Sequence, residues 1–150
     1  MQISQLKNIS NYPEVSKDNV IALLSQLTTC YNSNNEIITD RNYKNLFSFI
    51  PNTHQIYVII DNDCLIGMGT LLIENKIIHG GKSVGHIEDI VIDKKYRGQS
   101  YGKLLIDYLT EKARDLDCYK VILNCSEDHV EFYEKSGFSQ TSVCMSKYFE

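Results

Sequence analysis

The residues best suited to chemistry lie between positions 76 and 133. The segment Arg97-Gly98-Gln99-Ser100-Tyr101-Gly102-Lys103 follows an apolar run, Ile90-Val91-Ile92, and a polar turn, Asp93-Lys94-Lys95, and it opens an amphipathic helix. The first amides of a helix have no intrahelical partner, and the helix dipole gives that end positive character. Gly98 and Gly102 let a phosphate come close to the backbone, and Arg97 adds a fixed cation. This spacing is neither the Gly-x-x-x-x-Gly-Lys-Ser/Thr loop nor the Gly-x-Gly-x-x-Gly fingerprint. Gly67-Met68-Gly69 partly matches the latter, but no third glycine follows and it lies in a strand-like run, so it reads as structural.

Other candidates are sparser. Lys76 and His79 form a basic pair near a turn, which suits an anionic ligand and also an exposed hairpin end. Glu88 and Asp89 are adjacent carboxylates in an apolar run. On a strand they point to opposite faces, so one of them faces inward, where an unpaired charge is costly. Tyr133 is either a core aromatic or a phenol donor. The cysteines, Cys30, Cys64, Cys118, Cys125 and Cys144, are widely spaced with no Cys-x-x-Cys pair, so neither a zinc site nor a disulfide framework is indicated. They are expected to be reduced and packed in the core. Cys125 is the tempting nucleophile, with His129 four residues on, yet the spacing implies no activating base. His54 and His86 read as structural, and no metal is expected.

Positioning these groups requires a mixed scaffold. Ile3 to Ile9 reads as a short strand. Val20, Leu23, Leu24 and Leu27 recur at helical spacing over Ser16–Tyr31, Asn32–Glu36 reads as a loop, and a second helix starts after Thr39 or Asp40 with Tyr43, Leu46, Phe47 and Ile50. Ile56–Ile60 and Cys64–Ile73, joined by Asp61-Asn62-Asp63, read as a hairpin. A strand over Gly85–Ile92 precedes the anion loop, and Leu104, Leu105, Tyr108, Leu109, Ala113 and Leu116 form the stripe of the next helix. Tyr119–Cys125 is a strand, Glu127–Lys135 a short helix ended by Gly137, and Phe138–Phe149 a final strand. The expected class is α/β (α+β), with antiparallel hairpins early and a strand–helix–strand unit late.

The 150 residues suit one domain spanning 1–150. The net charge of −4, with scattered basic residues, argues against a nucleic-acid surface. No apolar run reaches the roughly 20 residues that cross a bilayer, and Met1–Ser10 lacks the character of a signal peptide. No membrane association and a cytoplasmic location are therefore expected.

Arg97-Gly98-Gln99-Ser100-Tyr101-Gly102 resembles the acetyl-coenzyme A pyrophosphate loop of the GNAT superfamily, Arg/Gln-x-x-Gly-x-Gly/Ala. Phe132-Tyr133-Glu134-Lys135-Ser136-Gly137-Phe138 is similar to that superfamily's late helix and its glycine–phenylalanine turn. Lys76-Ile77-Ile78-His79, Gly85-His86-Ile87-Glu88-Asp89-Ile90, Cys118-Tyr119-Lys120 and Leu27-Thr28-Thr29 resemble the glucosamine 6-phosphate N-acetyltransferase family, over nearly the whole length.

The resemblance implies a GNAT fold with a mixed, mostly antiparallel sheet flanked by helices, and a homodimer. It implies acetyl transfer from acetyl-coenzyme A to glucosamine 6-phosphate by direct attack, as in UDP-N-acetylglucosamine biosynthesis. For the cofactor it implies Ile90, Val91 and Ile92 along the pantetheine, the segment Arg97, Gly98, Gln99, Ser100, Tyr101, Gly102 and Lys103 around the pyrophosphate, and His129 alongside. For the sugar phosphate it implies Lys76, Ile77, Ile78 and His79, with Thr28, Tyr119, Lys120 and Tyr148 nearby. Glu88 and Asp89 would contact the sugar hydroxyls and amine, the Ile90 N–H would serve the oxyanion, and Tyr133 would protonate the leaving thiolate.

The sequence departs from the family in several places. Ser100 stands where glycine is usual, His129 where asparagine is usual, and Asn124 where many members have an aspartate able to take a proton. A family arginine for the phosphate falls on Tyr148, with Lys147 one place earlier. Two other readings stay open: a GNAT enzyme for another small amine or a protein N-terminus, and a non-catalytic acetyl-coenzyme A-binding module. Lys76 and His79 favour an anionic substrate over a peptide, and Tyr133 favours catalysis over binding alone.

Overall fold

The computed structural model describes residues 1–5, 15–30, 37–48 and 50–149. The expected strand beyond residue 5, Tyr31 and the Asn32–Glu36 loop lie outside them. Strands β1 (Gln2–Gln5), β2 (His54–Asp61), β3 (Cys64–Asn75), β4 (Ser83–Ile92) and β5 (Cys118–Leu123) form one sheet in that order. β1 to β4 pair antiparallel, and β4 pairs parallel with β5. A parallel return needs a crossover, and helix α3 (Tyr101–Asp115) supplies it.

The hairpin between β2 and β3 turns where expected. Asn62 and Asp63 have φ of 47° and 59°, which gives the twist that hairpin strands require. Helix α1 (Lys17–Leu24) begins at Ser16, whose side chain accepts the Asn19 N–H, and it stops seven residues before the expected end. Helix α2 (Asp40–Ser48) begins at Thr39, whose hydroxyl accepts the Asn42 N–H at 3.2 Å. Helix α4 (Val130–Glu134) is preceded by a single 3-10 turn, and Gly137 follows it with φ of 83°.

Each face of the sheet has its own core. Tyr57, Ile59, Ile66, Leu71, Ile87 and Ile92 pack against Leu105, Ile106, Leu109 and Ala113 of α3. On the opposite face, Val58, Met68 and Val91 meet Val20 and Leu23 of α1, Tyr43 of α2 and Val15. Ile106, outside the expected stripe, is fully buried, whereas Leu104 and Leu116 are 38% and 42% exposed. The sheet meets α3 along a line centred between Leu105 and Ile106; Leu104 falls outside that face, and Leu116 lies past the last residue of the helix.

Two expectations are corrected. The cysteines are free, but Cys64, Cys125 and Cys144 are exposed and Cys30 and Cys118 only partly covered, so none belongs to the buried core. The segment after Phe138 is no strand of this chain: residues 139–149 have no ladder partner among the described residues, and Val143, Met145, Tyr148 and Phe149 are 86–92% exposed. A strand needs a neighbouring edge for its amides. Here the tail stands off from the outer edge of β5 across a groove of about 680 Å³ lined by Cys118–Cys125, Tyr133 and residues 136–142.

Candidate active site

The site is built around an irregularity in β4. Thr70 pairs with Glu88 and Met68 with Val91, so Gly69 of β3 faces two residues, Asp89 and Ile90. Asp89 takes the extra position with φ of 53°. Such a bulge bends the strand and reverses which face later residues occupy. Pairing with β5 stops at Ile87 and Leu123, so Glu88–Ile92 has no ladder partner on that side among the described residues. An opening between β4 and β5 results. Glu88 is partly buried, and Asp89 is exposed. The bulge thus turns the second carboxylate to solvent instead of into a core.

At the end of β4 the chain turns sharply. Asp93 accepts the Lys95 N–H at 2.8 Å and caps a 3-10 turn, Lys94–Tyr96. The Lys95 amide is the main cause holding the Asp93 carboxyl below its ordinary range, and Gln26 adds to it. Arg97 folds back, its Nε donating to the Ile92 carbonyl at 3.0 Å. Gly98 has φ of 77°, and a Cβ there would meet nothing within 4 Å, so the space above it is open. Ser100 caps α3 with φ of 65°, and its carbonyl accepts the Leu104 N–H. The Tyr101, Gly102 and Lys103 amides precede the first helical bond. Lys94, Lys95, Arg97 and Lys103 lie in the same segment, and Lys103 is paired to Asp107. This loop can hold a diphosphate.

Gly102 has a different reason for lacking a side chain. A Cβ there would lie 3.1 Å from Cζ of Phe132, so the glycine lets α3 and α4 touch. The contact seats Tyr133, half-buried between Phe132 and Phe138 with ring centroids 5.0 and 6.1 Å away. Burial raises its pKa, and the nearby Cys125 thiol adds to the effect. Tyr133 is therefore a protonated phenol at neutral pH, able to donate to an anion. Asn124, Cys125 and His129 follow β5 and are exposed; Ser126 Oγ and His129 Nδ1 are 2.8 Å apart.

A second cluster sits at the other end of β4. Lys76 is paired with Glu74, whose second oxygen is 2.9 Å from His86 Nε2. Lys76 first, and His86 after it, hold the Glu74 carboxyl below its ordinary range. His86, read as structural from sequence, thus shares the Glu74 carboxylate with Lys76. His79 (φ of 54°) stacks on Tyr119 at 4.4 Å between centroids, and Lys120 Nζ is 5.6 Å from the same ring. Ile77 and Ile78 project into solvent. Thr28 lies just beyond α1, exposed, its N–H bonded to Leu24.

The sequence candidates therefore divide. Lys120 pairs with Val84, six positions before Ile90 on β4. At about 3.3 Å per residue this is roughly 20 Å between Cα positions. Lys76, His79, Tyr119 and Lys120 form one group, and Glu88, Asp89, Ile90, Arg97–Lys103 and Tyr133 form the other. Tyr148, on the exposed tail, joins neither within one chain. The sequence reading missed Gln26, which hydrogen-bonds both Asp93 and Lys94. Only its place two residues before Thr28 could have drawn notice.

Known proteins share this fold and much of this sequence. The model of the acetyltransferase (GNAT) family matches residues 20–138. Glucosamine 6-phosphate N-acetyltransferase of Arabidopsis thaliana is 38% identical over 132 residues, 87% of either chain. The enzyme of that name from Candida albicans is 40% identical over 81% of either chain. The crystal structure of the Arabidopsis enzyme superposes with a TM-score of 0.86, covering 99% of this chain and 98% of that one at 35% identity. The family model over most of the chain, the identity to both enzymes and the superposition over nearly the whole length agree: the chain belongs to the GNAT acetyltransferases and, among them, to the glucosamine 6-phosphate N-acetyltransferase family.

Proposed function

We propose that this protein transfers the acetyl group of acetyl-coenzyme A to the amine of glucosamine 6-phosphate, releasing N-acetylglucosamine 6-phosphate and coenzyme A. The observation that carries the reading is the Arg97–Lys103 loop opening α3 directly beyond the bulged, half-unpaired β4. The terminal nitrogens of Arg97 and the first amides of α3 receive the diphosphate. The edge of Ile90, Val91 and Ile92 offers main-chain groups to the pantetheine as an added strand would.

The chemistry needs both substrates together. The amine lone pair attacks the thioester carbonyl carbon, the Ile90 N–H stabilises charge growing on the carbonyl oxygen, and the carbon–sulfur bond breaks. Tyr133 gives its proton to the departing thiolate. The proton lost by nitrogen leaves through water or Glu88, since neutral Asn124 has no basic site. Cys125 is not required as a nucleophile. Lys76, His79 and Lys120 supply the cations for the sugar phosphate.

A homodimer completes this reading. The phosphate-binding cations and the acetyl-transfer groups of one chain lie farther apart than one hexose phosphate spans. Among the described residues, the tail with Val143, Met145, Tyr148 and Phe149 has no ladder partner, and the outer edge of β5 is free. Exchange of tails between two copies pairs those edges and brings one copy's cations towards the other's Ile90 and Tyr133. Light scattering reporting a monomer at micromolar concentration excludes it. Thiol release from acetyl-coenzyme A, measured over a panel of amines, tests the activity. Glucosamine 6-phosphate is expected to exceed glucosamine by at least about tenfold in kcat/KM, the factor for one charged contact. Equal rates, or preference for a peptide amine, reject the substrate.

A further inference from the structure

Gln26 lies in the turn that ends α1, its N–H bonded to the Leu23 carbonyl at 3.0 Å. Its side chain crosses to the far end of β4, sixty-seven positions along the chain. Nε2 donates to Asp93 Oδ2 at 3.0 Å, and Oε1 accepts the Lys94 N–H at 2.8 Å. Both functions of the amide are used: its nitrogen donates to a carboxylate while its oxygen accepts from a backbone N–H. The other Asp93 oxygen is held by the Lys95 N–H. Asp93 is thereby fixed at both oxygens, one bond coming from its own turn and one from α1.

That turn is the base of the cofactor loop. Arg97 is two residues beyond Lys95, and its guanidinium is anchored to the last carbonyl of β4. The loop itself, Arg97 to Ser100, is exposed and includes left-handed backbone at Gly98 and Ser100. Helix α1 is anchored independently, through Val20 and Leu23 in the core on the other face of the sheet. Gln26 therefore connects a fixed helix to the start of an exposed loop.

We propose that Gln26 is a positioning residue for cofactor binding: its amide locks Asp93 and Lys94 so that the Arg97–Lys103 loop is preformed at the height set by α1. It touches neither substrate. The proposal rests on the reading of Arg97–Lys103 as the diphosphate loop, and it concerns the cofactor whatever the acceptor amine. Without the clamp the loop must be ordered at the moment of binding, which weakens affinity.

The test uses the whole chain described above and coenzyme A. Calorimetry would compare the unsubstituted protein with Gln26→Ala, Gln26→Glu, Asp93→Asn and the double variant Gln26→Glu/Asp93→Asn, at a temperature where each is folded by circular dichroism. Gln26→Glu sets a second carboxylate against Asp93 and should weaken coenzyme A by about tenfold, the scale of one charged hydrogen bond. In the double variant the carboxylate comes from position 26 and the amide from position 93, so the pair has the same charge with donor and acceptor exchanged. It should recover affinity to within about threefold. In turnover, Gln26→Ala should raise the KM for acetyl-coenzyme A and leave kcat within about twofold.

Coenzyme A affinity unchanged in both Gln26 variants overturns the proposal. So does a double variant no better than Gln26→Glu, or a loss confined to melting temperature. The double variant decides the matter if a single variant does not fold. A protein that binds coenzyme A without acetylating glucosamine 6-phosphate would remove the substrate reading and leave the Gln26 comparison intact.

Discussion

Ile87 and Ile92 are five positions apart on β4, yet both pack into the core beneath α3. On an unbroken strand an odd separation puts two side chains on opposite faces. The extra residue at Asp89 restores Ile92 to the α3 face and turns Val91 into the core beneath α1. The same residue takes the strand away from β5 and exposes the edge at Ile90. One insertion therefore serves both the packing of two cores and the opening of the site.

The conformation of Asp89 gives the first prediction. A left-handed φ is tolerated by aspartate, free for glycine and strained for a β-branched residue. Asp89→Val should lose about 1–2 kcal/mol of stability, while Asp89→Gly should lose much less. Urea unfolding of the two variants makes the comparison. Equal losses would mean that the bulge is not held in this conformation.

Tyr133→Phe keeps the ring contacts with Phe132 and Phe138 and removes only the hydroxyl. Turnover should fall by about 10²-fold, the usual scale for a positioned acid. The melting temperature and the affinity for coenzyme A should stay close to those of the unsubstituted protein. A variant with full turnover would remove Tyr133 from the chemistry.

Lys76 already has an anionic partner in Glu74. A sugar phosphate must compete with that carboxylate, and a dianion does so readily. Lys76→Ala should cost about 1.5–3 kcal/mol of phosphate recognition, one to two decades in the KM for glucosamine 6-phosphate. The KM for unphosphorylated glucosamine should barely move. Parallel changes for both sugars would take Lys76 out of phosphate binding.

Alkaline stability tests the two buried phenols. Burial raises Tyr43 and Tyr57 from 10.0 to about 12. Their folded pKa values exceed the unfolded ones, so their contribution is complete below pH 10 and is lost as pH rises towards 12. Tyr43 also donates to the Val15 carbonyl at 3.2 Å, and Tyr57 to Gln55 Oε1 at 2.7 Å. Tyr43→Phe/Tyr57→Phe should lower the melting temperature near neutral pH and show a shallower fall above pH 10. Melts followed across that range would contradict the assignment if both proteins declined with the same slope.

The sequence by itself determined the elements whose signals are local. Asn62-Asp63 announces a hairpin, Thr39 and Ser16 announce helix starts, and the glycines after Ile92 announce an anion-binding turn ahead of α3. Local signals are legible because the partners of each group lie within a few residues. The resemblance of Arg97–Gly102 and Phe132–Phe138 to family motifs carried the reading from elements to activity.

What only the tertiary structure decided involves groups distant in sequence. The sequence explains Gly102 by approach to a phosphate, whereas the structure places the ring of Phe132, thirty positions on, where its Cβ would go. Gln26 looks like any polar residue at a helix end until Asp93 and Lys94 are brought beside it. The carboxylate pair Glu88–Asp89 reads as alternating, and it stops alternating because Gly69 on the neighbouring strand faces two residues. The run Phe138–Phe149 has the composition of a strand, yet residues 139–149 have no ladder partner among the described residues; whether an edge comes alongside is decided by packing and not by composition. Composition and spacing record what each residue can do; which residues meet is set by sheet register and helix packing, which sum contacts over the whole chain.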